Sequence, residues 1–415
     1  MYTLFDVCKG RIVKVHLRNA HSVSCVRLIC FGKRRRRIKC NKLNIFFKEI
    51  YRTTHTNSLI SKHKKNGSIE ATIFETKINW YCCFTIYSQL VFMGDWWSDT
   101  EVLLYIKRED FDKYWGKEHA YCIMNHTYEI DWLIGWMTCD RIHMLGNCKA
   151  YAKKAIQYMP VLGWCWKFSE FVFLERSFDK DKEVIRRQVT ELAEHPDPMW
   201  LLLFPEGTRF TPKKHLTSLE FAREKNLPEL KYHLLPRTRG FIASLPSMKG
   251  KVPALYDIEV AFHENDPHDP TITTLLFGRR VTAHMYMKRI PLEEIPDTEE
   301  GQEVFLRELF INKDKMKESF AKTGDFFATS GVERTDIIRI KRRINSLINI
   351  AIWSVVILCP MVYYLVGFLF SGELLYFSIG MSIIIIFFVL LNKTIGMSKI
   401  SKGSSYGTNS PKKCE

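Results

Sequence analysis

Apolar and polar positions along the chain fall into three regimes. Residues 1–78 mix them without a sustained period, residues from about 100 to 330 alternate short apolar runs with amphipathic stretches, and beyond residue 345 two long runs are apolar almost throughout. In the middle regime, Tyr121–Met124, Trp200–Phe204 and Ile258–Phe262 have the length and continuity of buried strands. Lys182–Glu194 and Lys213–Lys225 place apolar residues three or four apart, which predicts helices. Strands alternating with helices predict an α/β domain with a mostly parallel sheet and flanking helices.

The last regime predicts a transmembrane helical hairpin. Leu347–Phe370 holds 24 apolar or weakly polar residues, about 36 Å as a helix, against a hydrocarbon core of about 30 Å. After Ser371-Gly372-Glu373, the 18 residues Leu374–Leu391 reach about 27 Å. Arg339, Lys341, Arg342 and Arg343 precede the pair, and Lys393, Lys399 and Lys402 follow it, so both ends are expected in the cytosol. Residues 80–97 carry three tryptophans near their ends and only one charge, Asp95, the pattern of an interfacial, membrane-associated helix. The expected organisation is a basic arm (1–78), an interfacial helix (79–99), the α/β domain (100–335), the hairpin (345–392) and a cytosolic tail (393–415).

Charge changes the picture only at the amino-terminal end. The chain of 415 residues has a net charge of +16 and is 46% hydrophobic, enough to bury a real core and to exclude a wholly disordered protein. Residues 1–50 carry 13 Lys and Arg against Asp6 and Glu49, a net of +11. This arm, with the run Lys33-Arg34-Arg35-Arg36-Arg37, reads as solvated and largely disordered, with attraction to anionic lipid as its functional alternative. No nucleic-acid-binding motif accompanies it, so no nucleic-acid partner is expected. The 12 cysteines are scattered without metal-binding spacing, which predicts free thiols in a reducing compartment and no metal site. No signal peptide is expected, because residues 1–30 lack the necessary apolar stretch.

Four short blocks carry the candidate chemistry. Asn125-His126-Thr127-Tyr128-Glu129-Ile130-Asp131 follows a predicted strand. Five helical residues rotate by about 140°, so His126 and Asp131 meet only if the histidine lies in the loop and the aspartate inside the following helix. Asp131 would then hold one ring nitrogen and leave the other as a base; a structural histidine beside a helix cap is the alternative. In Phe204-Pro205-Glu206-Gly207-Thr208-Arg209, Gly207 permits close backbone approach, while Thr208 and Arg209 offer donors suited to phosphate oxygens. Phe173-Leu174-Glu175-Arg176 is an apolar strand end with an exposed arginine, and Leu234-Leu235-Pro236-Arg237-Thr238-Arg239-Gly240-Phe241 adds two more cations after a proline break.

In this order the blocks resemble the motifs of the glycerolipid acyltransferase family, more narrowly lysophosphatidic acid acyltransferases of the gamma/delta type. The likeness runs from about Trp80 to the tail segment Lys402–Gly407, and includes Gly116-Lys117-Glu118-His119-Ala120 and Lys231-Tyr232-His233. It implies a glycerolipid acyltransferase-like domain in which His126 is the general base and Asp131 its orienting partner. Asn125, Phe173, Arg176, Glu206, Gly207, Thr208, Arg209 and Pro236 then belong to the substrate site, with Glu206 ordering its turn or Arg209. The implied substrates are acyl-CoA and lysophosphatidic acid, with the bilayer as partner. No metal or cofactor is expected, a thioester being already activated.

Two departures stand out: Glu170 occupies a position where the family often has glycine, and the basic arm 1–78 stands where the family usually opens with an apolar segment. Lys412 and Lys413 resemble a dilysine retrieval signal, so the expected location is the endoplasmic reticulum membrane, multi-pass, with the catalytic domain facing the cytosol. The sequon Asn125-His126-Thr127 agrees, since a luminal site would risk a glycan on its own first motif. The alternatives are acyl transfer to another lysophospholipid, such as lysophosphatidylinositol or lysocardiolipin, and a non-catalytic membrane protein that binds anionic lipid.

Overall fold

The computed structural model describes residues 2–6, 11–16, 27–30, 69–158, 162–175 and 177–398. The chain divides into two units, Met1–Glu75 and Thr76–Glu415. In the first, β1 (Tyr2–Asp6), β2 (Arg11–His16) and β3 (Arg27–Cys30) form an antiparallel sheet in the order β1-β2-β3. The arm expected to be disordered therefore contains strands. Ile12, Val13 and Val15 supply the β-branched residues that suit β2. The run Lys33–Arg37 lies outside the described residues.

Helix α1 (Ile69–Phe92) begins ahead of the expected boundary at residue 79. Cys83, Tyr87 and Val91, spaced by four, form a stripe buried in the core, and Tyr87 stacks on Trp136 at 4.0 Å. Tyr81 on another face is exposed. The segment read as interfacial is thus also one wall of the core.

The central sheet has eight strands in the order β11-β4-β10-β9-β5-β8-β6-β7. In chain order these are β4 (Glu101–Ile106), β5 (Ala120–Met124), β6 (Cys148–Lys153), β7 (Val172–Leu174), β8 (Trp200–Leu203), β9 (Ala254–Ala261), β10 (Thr282–Pro291) and β11 (Asp336–Arg339). The block β9-β5-β8-β6-β7 is wholly parallel, β4 also pairs β10 in parallel, and only β9–β10 and β4–β11 are antiparallel. Both faces are covered, as a parallel sheet requires. From β5, Ala120, Cys122 and Met124 enter the core shared with α1 and α2 (Asp131–Arg141). Tyr121 and Ile123 enter the core built with α3 (Phe178–Ala193), α5 (Thr238–Met248) and α6 (Glu299–Thr323). Between α3 and α5 lies α4 (Pro212–Glu224), begun by a proline and by Thr211, whose hydroxyl accepts the Lys214 N–H.

The hairpin comprises α7 (Asn345–Leu369) and α8 (Leu374–Ser398), with spans Asn345–Leu369 and Leu374–Lys393 of 25 and 20 residues and mean hydropathies of 2.1 and 2.7. Apolar side chains project from it on all sides. A π-helical turn at Ser354–Leu358 precedes Pro360, whose ring cannot continue the ordinary helical ladder. At the root of α7, the Asn349 amide donates to the Thr85 carbonyl at 2.9 Å and to the Ser88 hydroxyl, docking the hairpin on α1.

Candidate active site

The chain leaves β5 at Met124 and continues as an irregular loop to α2. Asn125 is fully buried; its amide accepts the Val260 N–H at 2.8 Å and donates to the Val260 carbonyl at 3.0 Å, adding a rung between β5 and β9. The residue expected to touch substrate instead fixes the backbone beside it. Asp131 opens α2, so the loop removes the angular offset of a continuous helix. Its Oδ2 lies 3.3 Å from His126 Nδ1 and accepts the Tyr128 N–H at 2.8 Å. Burial raises the Asp131 pKa, while His126 opposes the rise, and the positive end of α2 favours the charged form.

The His126 ring stacks on Phe204, with centroids 4.3 Å apart, and its side chain keeps 24% of its exposure. With Nδ1–H directed at the buried carboxylate, the lone pair belongs to Nε2. A partly exposed imidazole and a buried carboxylate against its Nδ1 are therefore assembled at the carboxyl edge of a parallel sheet, where α/β proteins place ligands.

The turn after β8 is fastened to this loop. Glu206 is buried, accepting the His126 N–H at 2.6 Å through Oε1 and the Leu234 N–H at 3.1 Å through Oε2. Burial raises its pKa, and the neighbouring His233 limits the rise. Glu206 thus orders the turn by joining three motifs. The Phe210 N–H also donates to the His126 carbonyl at 2.8 Å. Gly207 has φ +68°, and a Cβ there would stand 3.0 Å from Arg237 Cδ, so the glycine lets a guanidinium lie across the turn. The Arg237 N–H donates to the Pro205 carbonyl at 2.8 Å. Lys214 Nζ donates to the Thr208 hydroxyl at 2.6 Å and the Arg209 carbonyl at 3.1 Å. Arg209, Lys214 and Arg237 thereby gather around one turn.

Other expected site residues are placed differently. Pro236 is buried, and it is the following Arg237 that reaches Gly207. Phe173 packs against the core on β7, three strand steps from β5, roughly 14 Å away. Arg176 lies outside the described residues. Glu170 has φ +59°, a left-handed conformation that explains why glycine suits this position.

Beneath the site lies a buried charge cluster that sequence reasoning missed. The fully enclosed His233 ring faces Asp314 Oδ1 at 3.0 Å through Nδ1 and Glu259 Oε1 at 3.1 Å through Nε2. Carboxylates at both nitrogens call for both protons. Burial works against that cation, but Glu259, Asp314 and Glu206 outweigh it and lift its pKa to about 10. Lys313, also enclosed, pairs with Asp257 at 2.7 Å. Lys317 donates to the Tyr128 hydroxyl, and burial lowers its pKa. The available signal was Asp257-x-Glu259 inside an apolar strand, which demands cations from elsewhere.

The sequence signature of a family described as Acyltransferase matches residues 105–252, and that of the Acyltransferase C-terminus matches residues 274–353. The chain is 37% identical over 339 residues to 1-acyl-sn-glycerol-3-phosphate acyltransferase gamma of Homo sapiens, covering 82% of this chain and 88% of that protein. It is 38% identical over 339 residues to the Homo sapiens delta protein, covering 81% and 86%. The chain belongs to the 1-acyl-sn-glycerol-3-phosphate acyltransferase family. The LPA acyltransferase PlsC of Thermotoga maritima, a solved structure, aligns with a TM-score of 0.36 and 13% identity over 67% of this chain and 91% of that one.

The arrangement holds the His126 imidazole beside a cationic turn tied to its loop through Glu206. Rigid attachment matters because transfer between two substrates depends on holding hydroxyl and acyl carbon together. Among the described residues, no group of three or more His, Cys, Asp and Glu is arranged to hold a metal ion.

Proposed function

We propose that this acyltransferase moves an acyl chain from acyl-CoA to the sn-2 hydroxyl of lysophosphatidic acid, giving phosphatidic acid and CoA. The observation that carries the reading is the His126–Asp131 pair, Nδ1 to Oδ2 at 3.3 Å, fastened by Glu206 to a turn rich in cations. His126 Nε2 takes the acceptor's hydroxyl proton as the oxygen attacks the thioester carbonyl. Collapse of the tetrahedral intermediate breaks the C–S bond, and the imidazolium returns the proton to the departing CoA thiolate. Asp131 holds the ring and stabilises the transient cation. Base catalysis supplies about 10²–10⁴ in rate; positioning and oxyanion donors supply the rest. The reaction as proposed needs no metal or redox cofactor, because the thioester is already activated.

Arg209, Lys214 and Arg237 are the cations proposed to hold the acceptor phosphate, with Arg176 as a further candidate from its motif. The paired spans α7 and α8 support anchoring in a membrane, with the catalytic domain on the cytosolic side where acyl-CoA is available. The buried Asn125 amide, already bonded to Val260, is a poor glycan acceptor on either side of the membrane, so the sequon carries no weight for orientation. The endoplasmic reticulum remains the proposed membrane; Lys412 and Lys413 lie outside the described residues.

The test is acyl transfer from labelled oleoyl-CoA in membranes containing the full chain, with lysophosphatidic acid and lysophosphatidylinositol as competing acceptors. Phosphatidic acid should form, and His126→Ala should reduce its rate by about 10²–10⁴. Preferential labelling of phosphatidylinositol would move the acceptor, and undiminished turnover by the variant would remove His126 from the chemistry.

A further inference from the structure

A second concentration of charge lies on the far side of the sheet from β7. β10 is antiparallel to β9 and parallel to β4, so β4 begins on the side of the sheet where β5 ends. Glu101 is level with Thr282, and Arg339 with Leu103. The beginning of β4 is therefore on the catalytic side, three strand steps from β5, a lateral separation of roughly 14 Å.

A cleft of about 320 Å³ opens there. Arg141, Arg280, Arg339, Lys341 and Arg342 line it, against only two carboxylates, Asp99 and Glu101. Both acids are oversupplied. Asp99 pairs with Arg342 at 2.5 Å and Arg280 at 3.4 Å, while Glu101 pairs with Arg280 at 2.6 Å and Arg339 at 3.4 Å. The Arg141 side chain is 2% exposed and meets Asp95 through Nη2 at 2.8 Å, so its charge is already compensated and it forms the inner wall of the cleft. The accessible cations Arg280, Arg339, Lys341 and Arg342 outnumber the two carboxylates, and this net positive charge suits an anion with several acceptor oxygens.

The surroundings indicate which anion. Lys341 and Arg342 stand just ahead of Asn345, where the first apolar span begins. Trp97 and Phe277 near the cleft are 58% and 71% exposed. Trp97 is held by its Nε1–H bond to the Leu276 carbonyl at 2.9 Å, and Arg279 lies over the Phe277 ring. Exposed aromatic residues and cations at the root of an apolar span belong at headgroup depth.

We infer that this cleft binds the phosphate of an anionic phospholipid, at a site distinct from the catalytic one, and so holds the catalytic side of the sheet against the membrane surface. The inference rests on the hairpin lying in a bilayer. The shared chemistry is a phosphate group, and its two sources are a lipid headgroup or phosphate in solution.

The test uses the full chain carrying His126→Ala, reconstituted in phosphatidylcholine bilayers with graded phosphatidylserine, and reads binding rather than turnover. Failure of the proposed reaction therefore leaves it intact. Capture of a photoactivatable phosphatidylserine should map to peptides containing Lys341 or Arg280. Adding Arg339→Gln and Lys341→Gln, both at exposed positions, should weaken capture by roughly thirtyfold. Equal capture by the charge-reduced protein would overturn the site. Full displacement by inorganic phosphate at comparable concentration would overturn the lipid source. Release of the protein by alkaline carbonate would overturn the membrane reading and the lipid occupant with it.

Discussion

Glu170 illustrates how a single backbone angle explains a family preference. It follows a short helix ending at Phe168 and holds φ +59°, where an L side chain costs about 1 kcal/mol and glycine does not. Its half-exposed carboxylate lies 3.5 Å from Lys149, whose side chain is only 2% exposed, so the pair supplies a counter-charge to an enclosed ammonium and offsets the strain. Glu170→Gly should relieve that strain but take the carboxylate away from the enclosed Lys149 ammonium, for a net stability loss of about 1–2 kcal/mol, read as a lower unfolding midpoint; an unchanged or higher midpoint would mean the pair contributes nothing. The departure noted in the sequence thus exchanges strain in a tight turn for a counter-charge to a buried lysine. Glu206 teaches the complementary lesson. Its motif was legible, but its partners, the backbone N–H groups of His126 and Leu234, were not, because neither is near it in the chain.

Elements were legible wherever burial followed a local period. β5 and β8 match the apolar runs that announced them, and α4 differs from the expected helix by one residue at each end. β9 starts four residues earlier than its apolar run suggested, because Asp257 sits inside a fully buried strand and Lys313 compensates it from α6. α1 reads as interfacial from its aromatic ends, yet its Cys83–Tyr87–Val91 stripe is core. The hairpin depends on α1 for docking through Asn349, a polar residue four positions into an apolar span. Asn349→Leu should insert at least as well, since it removes a polar group from hydrocarbon, while losing two hydrogen bonds to α1. A stability loss of about 1–2 kcal/mol with carbonate-resistant membrane association is the expected result. Unchanged stability would mean that the hairpin and α1 are not coupled there.

At the scale of the whole molecule, His233 joins α6, β9 and the motif loops, and the sign of its pH effect follows. Its pKa is about 10 folded, against 6.5 for an ordinary histidine, so its contribution to stability is fully present below about pH 6.5 and is lost as pH rises through about 10. The groups facing it are Asp314, Glu259 and Glu206. Unfolding midpoints of the wild type should fall over that window, and His233→Asn should start lower and fall less. A parallel decline in both proteins would remove His233 from the cause. The chain alone determined the alternation that makes an α/β domain, the two spans and the order of the motifs, because side-chain period, apolar length and turn chemistry act between residues close in sequence. Sheet order and crossover geometry determined that His126, Glu206, Leu234 and Arg237 share one site, that Phe173 lies strands away, and that Asp257 and Glu259 find cations on a distant helix. Compensation of a buried charge depends on distance in space, and the nearest partner in space is set by how the strands are arranged.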